Sequence, residues 1–174
     1  MKKLFAVMMA LCLMLTAAAF AEGTDTVVIN WADHEAEAAN IQGVFGNIST
    51  SGLKMFVPDE FENQEISEET LNSGIILVLK SNKEEKAVVN AQVMNGDIAT
   101  VKATLEQQGA TVRNATINGI PGITFTAGSN GVVAACFGFA TSAGMTLIFT
   151  FANADQEPYT SLYKVMASSI QLAQ

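Results

Sequence analysis

The sequence predicts an α+β domain: an antiparallel sheet of about six or seven strands covered by helices on both faces, an α/β/α sandwich. Three observations carry that expectation. Residues 132–141 and 145–152 are apolar or small on both alternating faces, so neither face can be left in water. The dipeptides Asn118-Gly119, Asn130-Gly131 and Ala143-Gly144 divide residues 111–152 into four extended runs, each one turn from the last. Two amphipathic stretches, one behind Asp97 and one over 157–172, supply candidate covers.

The elements follow in order. Residues 26–31 form a Val- and Ile-rich strand, and 32–40 a short helical stretch in which alanines alternate with Asp33, Glu35 and Glu37. Gly43, Gly46 and Gly52 punctuate a hairpin with arms 44–49 and 53–57, closed by Pro58. Residues 59–72 have no strand character, and Ser67 caps a helical turn. Strands at 75–80 and 87–94 flank the charged loop 81–86. Asp97 is the N-cap of the clearest helix, with Ile98, Val101 and Leu105 at helical spacing and Gly109 just past its end. Strands at 111–117, 120–127, 132–141 and 145–152 complete the meander, with Pro121 restricting the ladder bonds at the start of the second. In the closing stretch Leu162, Val165, Met166 and Ile170 form the apolar stripe behind Pro158.

The N-terminus bears on compartment. Lys2 and Lys3, an apolar run from Leu4 to Leu15 and the close Ala19-Phe20-Ala21 are the three parts of a secretory signal peptide over 1–21, cleaved after Ala21. An uncleaved anchor is the competing reading, but the second half of that run is Thr and Ala. Residues 22–174 are then one exported domain, secreted or periplasmic, with no membrane span after cleavage. A chain of this length buries roughly 70% of its unfolded surface, so it needs no disulfide. With Cys12 lost to the leader, Cys136 has no partner for one; it reads as a small buried hydrophobe. Seventeen acidic residues outnumber nine basic ones, and loss of Lys2 and Lys3 takes the net charge from −8 to −10. That opposes binding to nucleic acid and anionic membrane surfaces and permits a basic partner or a hard cation, without selecting either.

Catalytic patterns are missing. The lone histidine, His34, has no second histidine to help hold a metal, and helical spacing is read as placing Asp33, Glu35 and Glu37 off its face. No dinucleotide or phosphate-binding glycine loop occurs, and no cofactor is expected. The densest charge feature is Asp59, Glu60, Glu62, Glu65, Glu68 and Glu69, without one base among them. It lacks the alternating spacing that wraps calcium and reads as a solvated face. With Trp31, a core or rim anchor at the end of the first strand, it is the candidate interaction surface.

Three short pieces have a familiar order: Leu53-Lys54-Met55-Phe56-Val57-Pro58-Asp59, then Ile117-Asn118-Gly119-Ile120, then Ser168-Ser169-Ile170. Over residues 41–172 the chain resembles the Mog/PsbP-like α/β/α sandwich superfamily, and small secreted bacterial proteins. The resemblance implies a binding or assembly partner rather than an enzyme, with no site residue carried across. The expected function is an exported non-enzymatic binding or assembly module with a protein partner. Two alternatives stay open. One is a carrier holding a small apolar ligand over Val132, Ala134, Cys136, Gly138 and Ala140. The other is a hydrolase working through carboxylates such as Glu62 and Glu65.

Overall fold

A computed structural model describes residues 26–48, 51–84, 86–129 and 131–173. The leader, its cleavage point after Ala21 and Cys12 lie outside the described residues.

The chain opens with strand β1 (Val27–Ile29), a 3-10 turn at Trp31–Asp33 and the one-turn helix α1 (Glu35–Ala38). The hairpin β2 (Gly43–Asn47) and β3 (Leu53–Pro58) follows, then β4 (Phe61–Asn63), helix α2 (Glu68–Asn72), β5 (Ile75–Ser81) and β6 (Val88–Met94). Helix α3 (Ile98–Gln107) leads into β7 (Arg113–Ile117), β8 (Ile120–Ser129), β9 (Val132–Ala140) and β10 (Thr146–Ala152). Helix α4 (Tyr159–Ser168) and strand β11 (Gln171–Leu172) close the described chain.

The large sheet has eight strands in the order β1-β7-β8-β9-β10-β6-β5-β4, and β11-β3-β2 form a second sheet of three. The chain is therefore mixed α+β and mostly strand. This corrects the expected single sheet of six or seven strands in two respects. The β2–β3 hairpin leaves the main sheet and pairs with β11, and β4 lies inside the stretch read as lacking strand character. The reason for the second is local: only Phe61 of β4 is buried, while Glu62 and Asn63 are exposed, so three residues show no readable alternation. The sheet is also not wholly antiparallel, because β1 runs parallel to β7.

The meander β7-β8-β9-β10 forms as expected, every neighbour antiparallel. Asn118 (φ 49°) and Gly119 (φ 78°) adopt the left-handed backbone that a two-residue hairpin turn requires. Asp97 caps α3, its Oδ1 accepting the Thr100 N–H at 2.8 Å. The Thr100 backbone amide, then its side chain, hold that carboxyl below its usual value.

The faces of the large sheet belong to different clusters. Phe139, Leu147, Phe149 and Phe151 pack with Met166 and Ile170 of the closing segment and with Leu53 and Met55 of β3. The opposite face sets Ile123, Ala134, Cys136 and Ile148 against Val101 and Leu105 of α3. On the phenylalanine face the expected helical roof is thus shared with the small sheet. It leaves Ala135 and Phe137 of β9 half-buried.

Helix α4 stops at Ser168, short of the expected 172. The hydroxyls of Ser168 and Ser169 donate to the carbonyls of Val165 and Met166, which satisfies the helix end, and the chain turns out into β11.

Candidate functional site

One surface brings together an aromatic patch and a groove. On β2, the edge strand of the small sheet, Val44 is 66% and Phe45 43% exposed. Successive strand residues face opposite ways, so each face of this strand carries an exposed apolar side chain. Phe45 is braced edge-on by Trp31 (5.7 Å between ring centroids) and by Phe56 (5.8 Å), and the Lys54 ammonium lies 5.8 Å from its ring centre. Gly43, at the start of β2, sits so close to β3 that a Cβ there would meet Val57 O at 2.5 Å and Phe56 Cζ at 2.6 Å. Only glycine lets the two strands approach there.

Behind the patch, Trp31 and Ile41 pack against Ala38, Phe56 and Val165. Ile41 and Val165 continue outward as the floor of an open groove of about 330 Å³ between α4 and the segment around α1. Pro158 and Leu162 complete that floor, and Glu37, Glu60 and Ser161 supply its polar edge.

The candidate residues read from sequence are divided by the structure. Trp31, read from sequence as a core or rim anchor, is half-buried, and its backbone N–H donates to Asn118 Oδ1 at 2.6 Å. Glu60 reaches the groove and pairs with Lys83 Nζ at 2.9 Å. Glu62 instead accepts from Asn82 Nδ2 at 3.2 Å. Glu68 and Glu69 stand exposed in the first turn of α2, and Asp59 and Glu65 are exposed. The groove residues Glu37, Ile41 and Leu162 and the exposed pair Val44-Phe45 were missed in sequence; two adjacent apolar residues between glycines read simply as a hairpin arm.

His34 requires a correction. Glu37, three residues on, does share its face, with Oε2 3.4 Å from Nδ1. Among the described residues, no three or more His, Cys, Asp or Glu are grouped to hold a metal ion. The small-residue face is filled rather than hollow: Ala134 and Cys136 pack with α3, and a Cβ on Gly138 would meet Ile123 Cγ1 at 2.8 Å. Cys136 is buried and forms no disulfide.

A hydrogen-bonded knot supports the aromatic patch. Besides accepting from Trp31, Asn118 donates through Nδ2 to Ser168 O at 2.6 Å and to Ile170 O at 2.8 Å. Ser169 Oγ accepts the Phe56 N–H at 2.7 Å.

Among solved structures, the solution structure of cyanobacterial PsbP (CyanoP) from Synechocystis sp. PCC 6803 is similar over 90% of this chain and 99% of that one, with TM-score 0.53 and 12% identity. The fold is PsbP-like. A crystal structure from Bacteroides thetaiotaomicron VPI-5482 is similar over 77% of this chain, which spans 50% of that one, with TM-score 0.49 and 12% identity. No protein-family model and no curated protein matches. In this chain Phe56, Asn118 and the Ser168-Ser169-Ile170 run, one from each of the three resembling sequence pieces, meet in the knot.

Elsewhere in the PsbP-like core, Tyr163 carries the one buried side-chain polar atom, among the described residues, without a hydrogen-bond partner. Burial pushes its phenol well above the ordinary value; the nearby Val88 backbone draws it back only in part, and nothing meets it in hydrogen-bonding geometry. Tyr159 is also raised, by burial first and then by Glu84. A raised folded value means the neutral phenol contributes fully below the unfolded pKa of about 10, and that contribution is lost as pH rises above it. Tyr163→Phe is expected to keep or raise stability by about 1 kcal/mol at neutral pH and to flatten, without abolishing, the alkaline decline. Urea midpoints at pH 7 and above pH 10 check both; a large loss at neutral pH would contradict the unmet hydroxyl.

Proposed function

We propose that this chain is an exported, non-enzymatic binding or assembly module that engages a protein partner at the cell envelope or outside the cell. The observation that carries the reading is the adjacent exposed pair Val44 and Phe45 on an edge strand, with the Phe45 ring packed edge-on against Trp31 and Phe56. Exposed apolar side chains on a strand edge are a hazard to a monomer and an asset to a binding surface. Aromatic anchors of this type supply much of the binding energy in protein interfaces. The bias toward binding rather than catalysis that the sequence resemblance implied agrees with this reading. Export rests on the leader pattern at 1–21.

A photo-crosslinking residue placed at Val44 in the native cell is expected to capture one or a few defined proteins, with capture weakened by Phe45→Ser. The recovered protein is expected to have a mass starting at Glu22. Capture of nothing, or an unselective smear unchanged by Phe45→Ser, would count against the binding reading. An intact mass that includes Met1 would count against cleavage.

A further inference from the structure

We infer that the groove behind the aromatic patch seats a lysine- or arginine-bearing segment of the protein partner; this rests on the binding reading above and names the partner's chemistry. The groove combines two features that match the two halves of a basic side chain. Ile41, Pro158, Leu162 and Val165 make its lining largely apolar, and the acidic residues Glu37 and Glu60 line it too, with no cationic residue among them. Lysine and arginine lay an aliphatic stem along apolar surface and keep the charged head at its margin. A third carboxylate, Glu157, stands one turn before Ser161, whose hydroxyl donates to it at 3.1 Å. Two cations answer this charge in part. Lys83 pairs with Glu60 but is 72% exposed, so the pair is screened and readily exchanged. His34 lies beside Glu37 and is charged only when protonated.

Size and shape select a segment over a free small molecule. At about 330 Å³ the groove stands at the lower limit of ligand pockets, and it is open rather than enclosed. It accommodates one or two side chains of a longer chain whose remainder runs over the neighbouring surface. The lining residues Ile41 and Val165 pack in the same cluster as Trp31 and Phe56, which brace Phe45, so the groove and the patch share one support. The net charge of −8 steers a basic segment toward this surface.

The test uses a fluorescein-labelled dodecapeptide of alternating lysine and leucine, its glutamine-for-lysine counterpart, and spermine as a free polycation. Titrated into the ¹⁵N-labelled protein at low ionic strength, the lysine peptide is expected to shift resonances of Glu37, Ile41, Glu60 and Leu162 saturably. The glutamine peptide should leave them in place. Glu37→Gln with Glu60→Gln is expected to weaken binding about tenfold, and Asp97→Asn with Glu106→Gln, an equal loss of charge at the α3 helix that covers the other sheet face, to leave it unchanged. Equal weakening by both pairs would reduce the effect to net charge and overturn the inference. So would shifts centred on residues 61–69, outside the groove, or spermine binding in the groove as tightly as the peptide. Circular dichroism and melting of the variants guard against misfolding. Capture from Val44 uses neither carboxylate. Persistent capture with an unresponsive groove therefore overturns this inference alone, whereas loss of capture overturns the binding reading.

Discussion

Asn118→Ala is expected to lower stability by about 3–5 kcal/mol, a large share of the 5–15 kcal/mol that holds a typical domain together. The side chain of Asn118 makes three hydrogen bonds that no other residue type reproduces: it accepts from Trp31 N and donates to the carbonyls of Ser168 and Ile170. Truncation leaves one donor and two acceptors without partners in a half-buried site. Each lost bond is worth about 0.5–1.5 kcal/mol, and more where the orphaned group stays dry. Alanine also takes on a backbone at φ 49°, a left-handed conformation costing about 1–2 kcal/mol. Asn118→Gly separates the contributions, because glycine accepts that backbone freely and loses only the bonds. Asn118→Asp keeps an acceptor for Trp31 but sets a carboxylate against two carbonyl oxygens, so it should be no better than alanine. Thermal melting is expected to fall on the order of 10 °C for the alanine variant, with glycine intermediate. If alanine and glycine both cost less than about 1 kcal/mol, the knot is ornamental to stability. Trp31 fluorescence reads the same event at the patch: loosening Asn118 frees the backbone that positions the indole against Phe45 and Phe56.

This knot also marks where sequence reasoning stopped. The Asn118-Gly119 turn was legible because its backbone demand is local, two left-handed residues between extended runs. The side-chain role of Asn118 was not, since its partners lie as far as 87 residues before it and 52 after. The same contrast runs through the fold. The α3 helix was readable from Asp97, Val101, Leu105 and Gly109, all within one element. By contrast, the pairing of β11 with β3 involves two residues after a helix whose apolar stripe runs on to Ile170, so periodicity alone carried the helix too far. The candidate surface shows it as well. Of six carboxylates close in sequence, Glu60 and Glu62 meet the neighbouring residues Lys83 and Asn82, and the rest stand exposed. Glu37 and Glu60, 23 residues apart, are brought to one groove by packing of the first helical turn near α4. Charge density along the chain does not reveal such a pairing, because it is made by packing between separate elements.

The second large effect tests whether the late strands are buried on both sides. Thr146, Leu147, Ile148 and Phe149 are four consecutive buried residues on β10. A sheet open to water on one face would alternate. Phe149, fully buried, packs edge-on to Phe139 at 6.0 Å within the cluster closed by α4 and the small sheet. Ile148, one residue away, points into the cluster closed by Val101 and Leu105 of α3. Phe149→Ala is expected to cost about 3–5 kcal/mol and Ile148→Ala about 2–5 kcal/mol, the usual range for truncation in cores that relax only partly. Thr150→Ala, half-buried on the Ile148 face, should cost no more than about 1 kcal/mol and guards against a general sensitivity of this strand. Chemical denaturation of the three variants decides the matter. A half-solvated sheet would make one of the two neighbours costly and the other nearly neutral, and a loss below about 1 kcal/mol at Ile148 would mean that α3 rests on the sheet without sealing it. Large losses at both mean that β10 carries two cores back to back. In that case the sheet interior is committed to packing, which leaves the proposed recognition to the edge strand and the groove.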